Sequence, residues 1–475
     1  MNLNLRKNII FNFAYQILAL ILPFITAPYL SRTIGAEGVG VYSFSQSIAL
    51  YFTYITLLGL SNYGNRAIAE VQDDEQKRSK IFFEIYAMQL CSFFVSLVMY
   101  LIYVKFLSVD QRAAIIMIGW VASAAFDINW FFFGMEQFKL TVVRNTIIKI
   151  ISVLCIFIFI HSPKDQYLYI LIMVISTLLS QICLWPYLKH YIHFVKPSWK
   201  GIFFHVKPNL KLFVPVIAAS LYNMMDKVML GYLTNMKDVG FYENADKIVK
   251  MVQSLIVAIG TVMLPRMTAL FSKDKNQQGR KYLDISFRIV FIYVSAALFG
   301  ILAVSREFCT VYFGTGFEKT SYLLNILIVT VLFFGAGNVL RTQLLIPLKK
   351  DDIYIKSAIF GALINLVINL ILIPKFEAYG AAVATVLAEI VVCVYQFISV
   401  RNEIPIFKYV SEAFIFLVCG AIMFICLNRY FDVKFGIVSM IIKILVGACI
   451  YLFLIGVIFG IKKVIVVKSN YKGEK

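Results

Sequence analysis

About fourteen unbroken apolar stretches, each near the length that crosses a bilayer, dominate this chain. They fall near residues 8–30, 39–60, 81–104, 112–133, 141–160 and 167–188. After a basic break they resume near 210–233, 239–264, 283–303, 319–340, 353–373, 379–400, 408–427 and 436–460. In lipid every backbone N–H and C=O must be satisfied within the structure, which leaves helices or closed barrels. A barrel would alternate polar and apolar residues over segments of about ten, and these runs do not. Composition agrees: 60% of the 475 residues are hydrophobic and 15% charged, against roughly 45–50% and 25% in soluble domains. The prediction is an all-α integral membrane protein of about 14 transmembrane helices. The first stretch, Ile9 to Leu30 behind Arg6 and Lys7, has spanning length and lacks a small-x-small cleavage site, so it reads as a retained helix.

The formal net charge of +19 then needs an explanation inside a membrane protein. Nucleic-acid binding would require a solvated basic domain with groove-reading elements, and none is visible. Lys and Arg instead alternate in density between successive loops, favouring one side nearly three to one. By the positive-inside rule that side is cytoplasmic and holds both termini. The opposite loops are short, which disfavours an external catalytic domain. No G-x-x-x-x-G-K-[ST] sequence is present, so ATP is not expected to be hydrolysed. The eight cysteines are scattered without a CxxC spacing, and His190, His193 and His205 share a basic loop without cysteine or acidic companions. Neither pattern predicts a metal site, a cofactor or an enzyme.

The sequence matches itself at an offset of 200. Val39-Gly40-x-Tyr42 recurs as Val239-Gly240-x-Tyr242, and Lys7, Phe13, Leu30, Ile48, Arg66 and Ala69 recur as Lys207, Phe213, Leu230, Ile248, Arg266 and Ala269. This predicts a six-helix bundle over 1–200, a second over 201–400, and two further helices with a basic tail over 401–475. Six is even, so both bundles enter the membrane in the same sense and a pseudo-twofold runs along the membrane normal. Secondary transporters with parallel repeats place their substrate between the bundles and work by alternating access.

Polar groups inside the spans mark the candidate cavity. Glu243, Asp246, Lys247 and Lys250 lie at i, i+3, i+4 and i+7 on one helical stripe. Each would cost roughly 2.5–3.5 kcal/mol at mid-bilayer facing lipid, so the stripe should face protein or water. Self-paired charges at a helix end are the purely structural alternative. Asn223, Asp226 and Lys227 share a face of the preceding helix. The first helix offers Asn8, Asn12 and Gln16, and the second Ser43, Gln46 and Ser47. Asp127, Asn129, Lys149, Asn365, Asn369, Glu389 and Lys443 are further intramembrane groups, any of which can simply satisfy a neighbouring helix. Amides and hydroxyls suit sugar hydroxyls, and Lys or Arg suits a diphosphate. Asp127, Asp226, Glu243, Asp246 and Glu389 are the candidates for coupling to H⁺ or Na⁺.

The run from Leu30 to Tyr42 (LSRTIGAEGVGVY), Gly59-Leu60, and Gly64 to Ala69 (GNRAIA) resembles the N-terminal signature of polysaccharide-biosynthesis flippases of the multidrug/oligosaccharidyl-lipid/polysaccharide exporter superfamily. Asp226 to Gly231 (DKVMLG), Val239-Gly240-Phe241-Tyr242 and Leu264-Pro265-Arg266 extend the likeness into the second half. The resemblance implies transfer of undecaprenyl-diphosphate-linked oligosaccharide from the inner to the outer leaflet of a bacterial plasma membrane, for O-antigen, capsule or exopolysaccharide. It implies partners among glycosyltransferases and a polymerase of the same pathway. Arg32, Asp226 and Lys227 would lie at the cavity mouth or wall, and Arg66 and Arg266 at cytoplasmic helix ends. A cation-coupled multidrug antiporter, a peptidoglycan-precursor flippase and a non-transport scaffold remain as alternative readings.

Overall fold

The computed structural model describes residues 21–273, 275–431 and 436–472; for 215, 218, 219, 222 and 461–472 it describes the backbone alone. Every described regular element is helical. Ten helices among the described residues are long and apolar enough to cross a membrane. One of them, α15 (Asp351–Ser399), carries two of the expected spans: 49 residues with non-helical backbone at Glu377, φ 52° and ψ −132°. Lys319 holds the Glu377 carboxylate at that break, at 2.7 Å. The chain is a multi-pass membrane protein. The start of the first expected span, with Asn8, Asn12 and Gln16, lies outside the described residues; from 21 to 33 it is helical (α1).

Contacts divide the chain into two units, Met1–Glu243 and Asn244–Lys475. In the first, α2 (Gly35–Leu57) is the central helix, packed on α4 (Glu75–Phe106), α5 (Gln111–Ser123) and α10 (Trp199–Leu233). The short α3 (Leu60–Ala69) rests on α6 (Asn129–Gly134), while α7 (Phe138–Phe159) and α8 (Gln166–Ile182) pack together at one side. Helix ends are set by local chemistry. Asp74 and Asp110 accept from the backbone N–H of Lys77 and Ala113, and Ser198 accepts from that of Gly201. The Lys77 N–H bond is also the main cause that holds the Asp74 carboxyl below its ordinary range.

The fourth expected span is not one rod. After α5 it passes through a 3₁₀ turn at Ala124–Phe126 and an extended Asp127 before α6. A broken helix leaves carbonyls exposed to an apolar surround, and fully buried Gln89 of α4 answers them. Its amide N–H₂ donates to the Ala124 and Asp127 carbonyls at 2.7 and 3.0 Å, and its carbonyl accepts from the Trp130 indole at 3.2 Å. Trp130 joins Phe82, Phe131 and Phe132 in the buried aromatic core of this unit. Gln89→Leu keeps the volume and removes all three bonds. At roughly 1–3 kcal/mol per buried polar group left unpaired, a clear drop in the thermal unfolding midpoint in detergent is expected; an unchanged midpoint would show that the break is held by packing alone.

In the second unit α12 (Asn276–Phe313) is the hub. It packs on α13 (Glu318–Leu327), α14 (Thr330–Leu340), α16 (Ile406–Tyr430) and α17 (Ile437–Lys472). Ion pairs fasten both C-terminal helices to it. Arg288 meets Glu412 of α16 at 3.0 Å, and Lys443 of α17 meets Glu307 at 2.5 Å with both side chains about nine-tenths buried. At the end of the same seam, Asp284 accepts from Lys408 at 2.5 Å and from the Tyr409 hydroxyl at 2.6 Å. Lys443, legible in sequence only as an intramembrane cation, is thus a helix-to-helix tie.

Candidate functional site

The two Val-Gly-x-Tyr motifs meet. A β-carbon placed on Gly40 of α2 would lie 1.8 Å from the Met236 carbonyl oxygen, at the start of α11 (Met236–Phe271). One placed on Gly240 would lie 1.8 Å from the Ala36 carbonyl oxygen. The two backbones touch through their glycines, as small residues permit in membrane helices. The contact is self-complementary, since residues 36 and 40 oppose 236 and 240. It extends to Glu37 and Lys237, 3.9 Å apart at the surface, and to Ser43 and Glu243. Nearby, Gly231 of α10 leaves the space that the Phe44 ring occupies.

Below this crossing the polar residues converge. The Ser43 hydroxyl donates to Glu243 Oε2 at 2.9 Å, and Lys227 Nζ of α10 reaches the same oxygen at 2.5 Å. One residue away on each helix, the Tyr242 hydroxyl donates to Asp226 Oδ2 at 2.8 Å. Asp226-Lys227 on α10 therefore faces Tyr242-Glu243 on α11 as two adjacent rungs, with Ser43 of α2 closing the second. All are removed from solvent: Asp226 is 4% and Glu243 9% exposed, and the side chains of the Lys227–Glu243 pair 12% each. A polar cluster this dry is worth keeping only if its groups satisfy one another or a ligand. It contains a lysine able to meet an oxyanion, two carboxylates able to take up a proton, and two hydroxyls.

Among the other residues singled out from sequence, the i,i+4 pair Asp246–Lys250 forms at 2.7 Å, with the Lys250 side chain 45% exposed. Lys247 lies one turn along from Glu243 and is partly buried, and Gln46 is partly buried on α2. Arg32 and Asn223 are exposed. Asp127 sits at the break between α5 and α6, where it accepts from the Asn129 backbone and side chain at 2.9 and 2.7 Å. Lys149 is partly buried on α7. Glu389, 8% exposed, lies on α15 beside Cys393, in the second unit. Asn365 and Asn369 bond to each other on the same helix at 3.0 Å. Arg266 lies over the Tyr282 ring, 4.0 Å from its centroid. Sequence reading passed over Tyr242 as a site residue and used Ser43 only as a neutral counterpart; the signal for both was their place within or one residue beyond the repeated motif. Among the described residues no group of His, Cys, Asp and Glu is arranged to hold a metal.

Known proteins give this geometry its context. An O-antigen transporter named from Shigella dysenteriae is 24% identical over 403 residues, covering 84% of this chain and the whole of that protein. Among solved structures, the lipid II flippase MurJ in an inward closed conformation superposes with a TM-score of 0.74 at 15% identity, over 95% of this chain and 98% of that one. An inward-facing multidrug resistance MATE transporter follows with a TM-score of 0.59 at 14% identity, over 83% and 98%. At such identities the two structures speak for the fold. Residues 5–271, more than half of the chain and the stretch that carries α2, α10 and α11, match the family described as polysaccharide biosynthesis protein, and to that family this chain belongs.

Proposed function

We propose that this protein transfers undecaprenyl-diphosphate-linked oligosaccharide from the cytoplasmic to the outer leaflet of a bacterial plasma membrane, by alternating access and without covalent chemistry. The observation that carries this reading is the buried cluster of Ser43, Asp226, Lys227, Tyr242 and Glu243 between packed helices of a multi-pass membrane protein, in a member of the polysaccharide biosynthesis family. An O-antigen transporter that aligns over its full length supports it. Lys227 meets a carboxylate oxygen of Glu243, and an incoming diphosphate, which offers more negative charge, would compete with Glu243 for the ammonium. The released carboxylate would then take a proton or a sodium ion; Asp226 is the second candidate, with Asp127, Asp246 and Glu389 more distant ones. Both termini would be cytoplasmic by the charge asymmetry of the loops. Glycosyltransferases would supply the substrate and a polymerase would consume it.

The test is expression in a strain that lacks its own oligosaccharide flippase and accumulates the lipid-linked unit inside. Surface polysaccharide should return, and the accumulated unit should become accessible to an added lectin in spheroplasts. Rescue of a strain depleted of its lipid II flippase, or drug efflux without polysaccharide, would replace this reading with the precursor-flippase or antiporter alternative.

A further inference from the structure

A cavity of about 530 Å³ opens on the flank of the first unit, between α7 and the turn from the end of α8 into the short α9 (Trp185–Leu188), away from the residues of the polar cluster in sequence and lining. Its lining divides in two. Gln137, Lys139 and Arg144 stand at the start of α7, with Tyr187 of α9 across from them; Val143 and Ile147 continue along α7 as an apolar wall. Lys139 is exposed, and Val143, Ile147 and Tyr187 are 39%, 51% and 48% exposed. Exposed apolar side chains on a 22-residue spanning helix face lipid, so the wall belongs to the acyl-chain region. The two cations sit within the first two turns of that helix, at headgroup depth. None of the lining residues is acidic.

The arginine is positioned with care. Its Nη2 donates to the Asn129 and Asn145 side-chain carbonyls at 3.0 and 2.7 Å. Asn129 in turn donates to Asp127 Oδ1 at 2.7 Å and to Gln181 Oε1 at 2.9 Å, and Ser180 donates to Asn145 at 2.8 Å. Residues of α6, α7, α8 and the helix break thereby fix one guanidinium, and Asp127 and Asn129 acquire a part outside the substrate cluster. A guanidinium held in place beside a lysine recognises a phosphate, and an apolar wall leading from it into the bilayer recognises the chain attached to that phosphate.

We propose that this groove is a binding site for an anionic glycerophospholipid, with its phosphate on Lys139 and Arg144 and an acyl chain along Val143 and Ile147. The site would anchor α7 and α8 to the leaflet while the rest of the unit moves. It does not depend on what the protein transports.

Native mass spectrometry of the full chain, purified in detergent and offered equal amounts of phosphatidylglycerol, phosphatidylethanolamine, undecaprenyl diphosphate and inorganic phosphate, tests it. An exposed lysine with a half-buried guanidinium behind it should favour phosphatidylglycerol over phosphatidylethanolamine about tenfold or more. Lys139→Gln should remove most of that preference, and Ile147→Trp, which fills the groove while leaving every hydrogen bond of Arg144 in place, should lower retention with an unchanged unfolding midpoint. Equal retention of the two phospholipids, or a preference untouched by both variants, overturns the proposal. So does capture of inorganic phosphate alone. Retention of undecaprenyl diphosphate in preference to phosphatidylglycerol would overturn it in favour of a second substrate site.

Discussion

Gly40→Ala and Gly240→Ala are each expected to lower the unfolding midpoint sharply and to abolish polysaccharide export, although alanine is the better helix former. The propensity gain is only about 0.5–1 kcal/mol. Against it stands a methyl group built 1.8 Å from a backbone carbonyl oxygen of the facing helix, Met236 in one case and Ala36 in the other. A flexible side chain could swing away, but these are main-chain atoms of packed helices, so the helices must part. Overpacking of a tight core costs about 1–3 kcal/mol and occasionally more, which exceeds the propensity term. Parting α2 from α11 also withdraws Ser43 from Glu243, so function should fall further than stability. Gly300→Ala is the control: it is helical, its added carbon meets nothing within 4 Å, and it should be neutral or slightly stabilising. Thermal unfolding in detergent and surface polysaccharide measured on the same variants decide the matter. Variants at 40 and 240 that behave like the one at 300 would show that the helices are not in contact in the membrane.

That contact also shows what could be read without a structure. The spans were legible because lipid imposes one rule on every residue: about 20 apolar side chains and an internally bonded backbone. Their interruptions were not. The break at Asp127 depends on Gln89, 38 residues upstream, to satisfy the opened carbonyls, and no local signal announces such a partner. The repeated glycines stood out as a motif, yet a repeat states only that two segments are alike; that residue 40 lies against residue 240 is a fact of packing. Charges behaved similarly. Helical periodicity put Glu243, Asp246, Lys247 and Lys250 on one stripe and Asn223, Asp226 and Lys227 on one face, and of the self-pairings open to the stripe Asp246–Lys250 forms. It could not say that Lys227 of another helix reaches Glu243, that Tyr242 donates to Asp226, or that Lys443 serves Glu307.

The Lys227–Glu243 pair separates a structural role from a functional one more cleanly than any other site. Read from sequence, Lys227 would lie at the cavity mouth or wall. Its position adds a structural role: Lys227→Ala strands a carboxylate that is 9% exposed and that also accepts from the Ser43 hydroxyl, and breaking a buried pair from one side costs about 3–5 kcal/mol. Lower membrane abundance is therefore expected along with lost export, and that result alone would be ambiguous. Glu243→Gln with Lys227→Met removes both charges together, and replacing a buried pair by neutral groups of similar volume is often close to neutral. The double variant should recover abundance and unfolding midpoint to near those of the parent. If Lys227 receives the diphosphate, export stays absent in that well-folded protein, and the accumulated lipid-linked unit remains inaccessible to lectin. Reversing the pair, Lys227→Glu with Glu243→Lys, should preserve the attraction between the helices and still impair transport, because Ser43 then faces an ammonium and the anion-receiving group has moved to α11. Normal surface polysaccharide from a stable Lys227→Met/Glu243→Gln protein would reduce the pair to a tie of the kind seen between Lys443 and Glu307, and the search for the substrate's contacts would move to Asp226 and Tyr242.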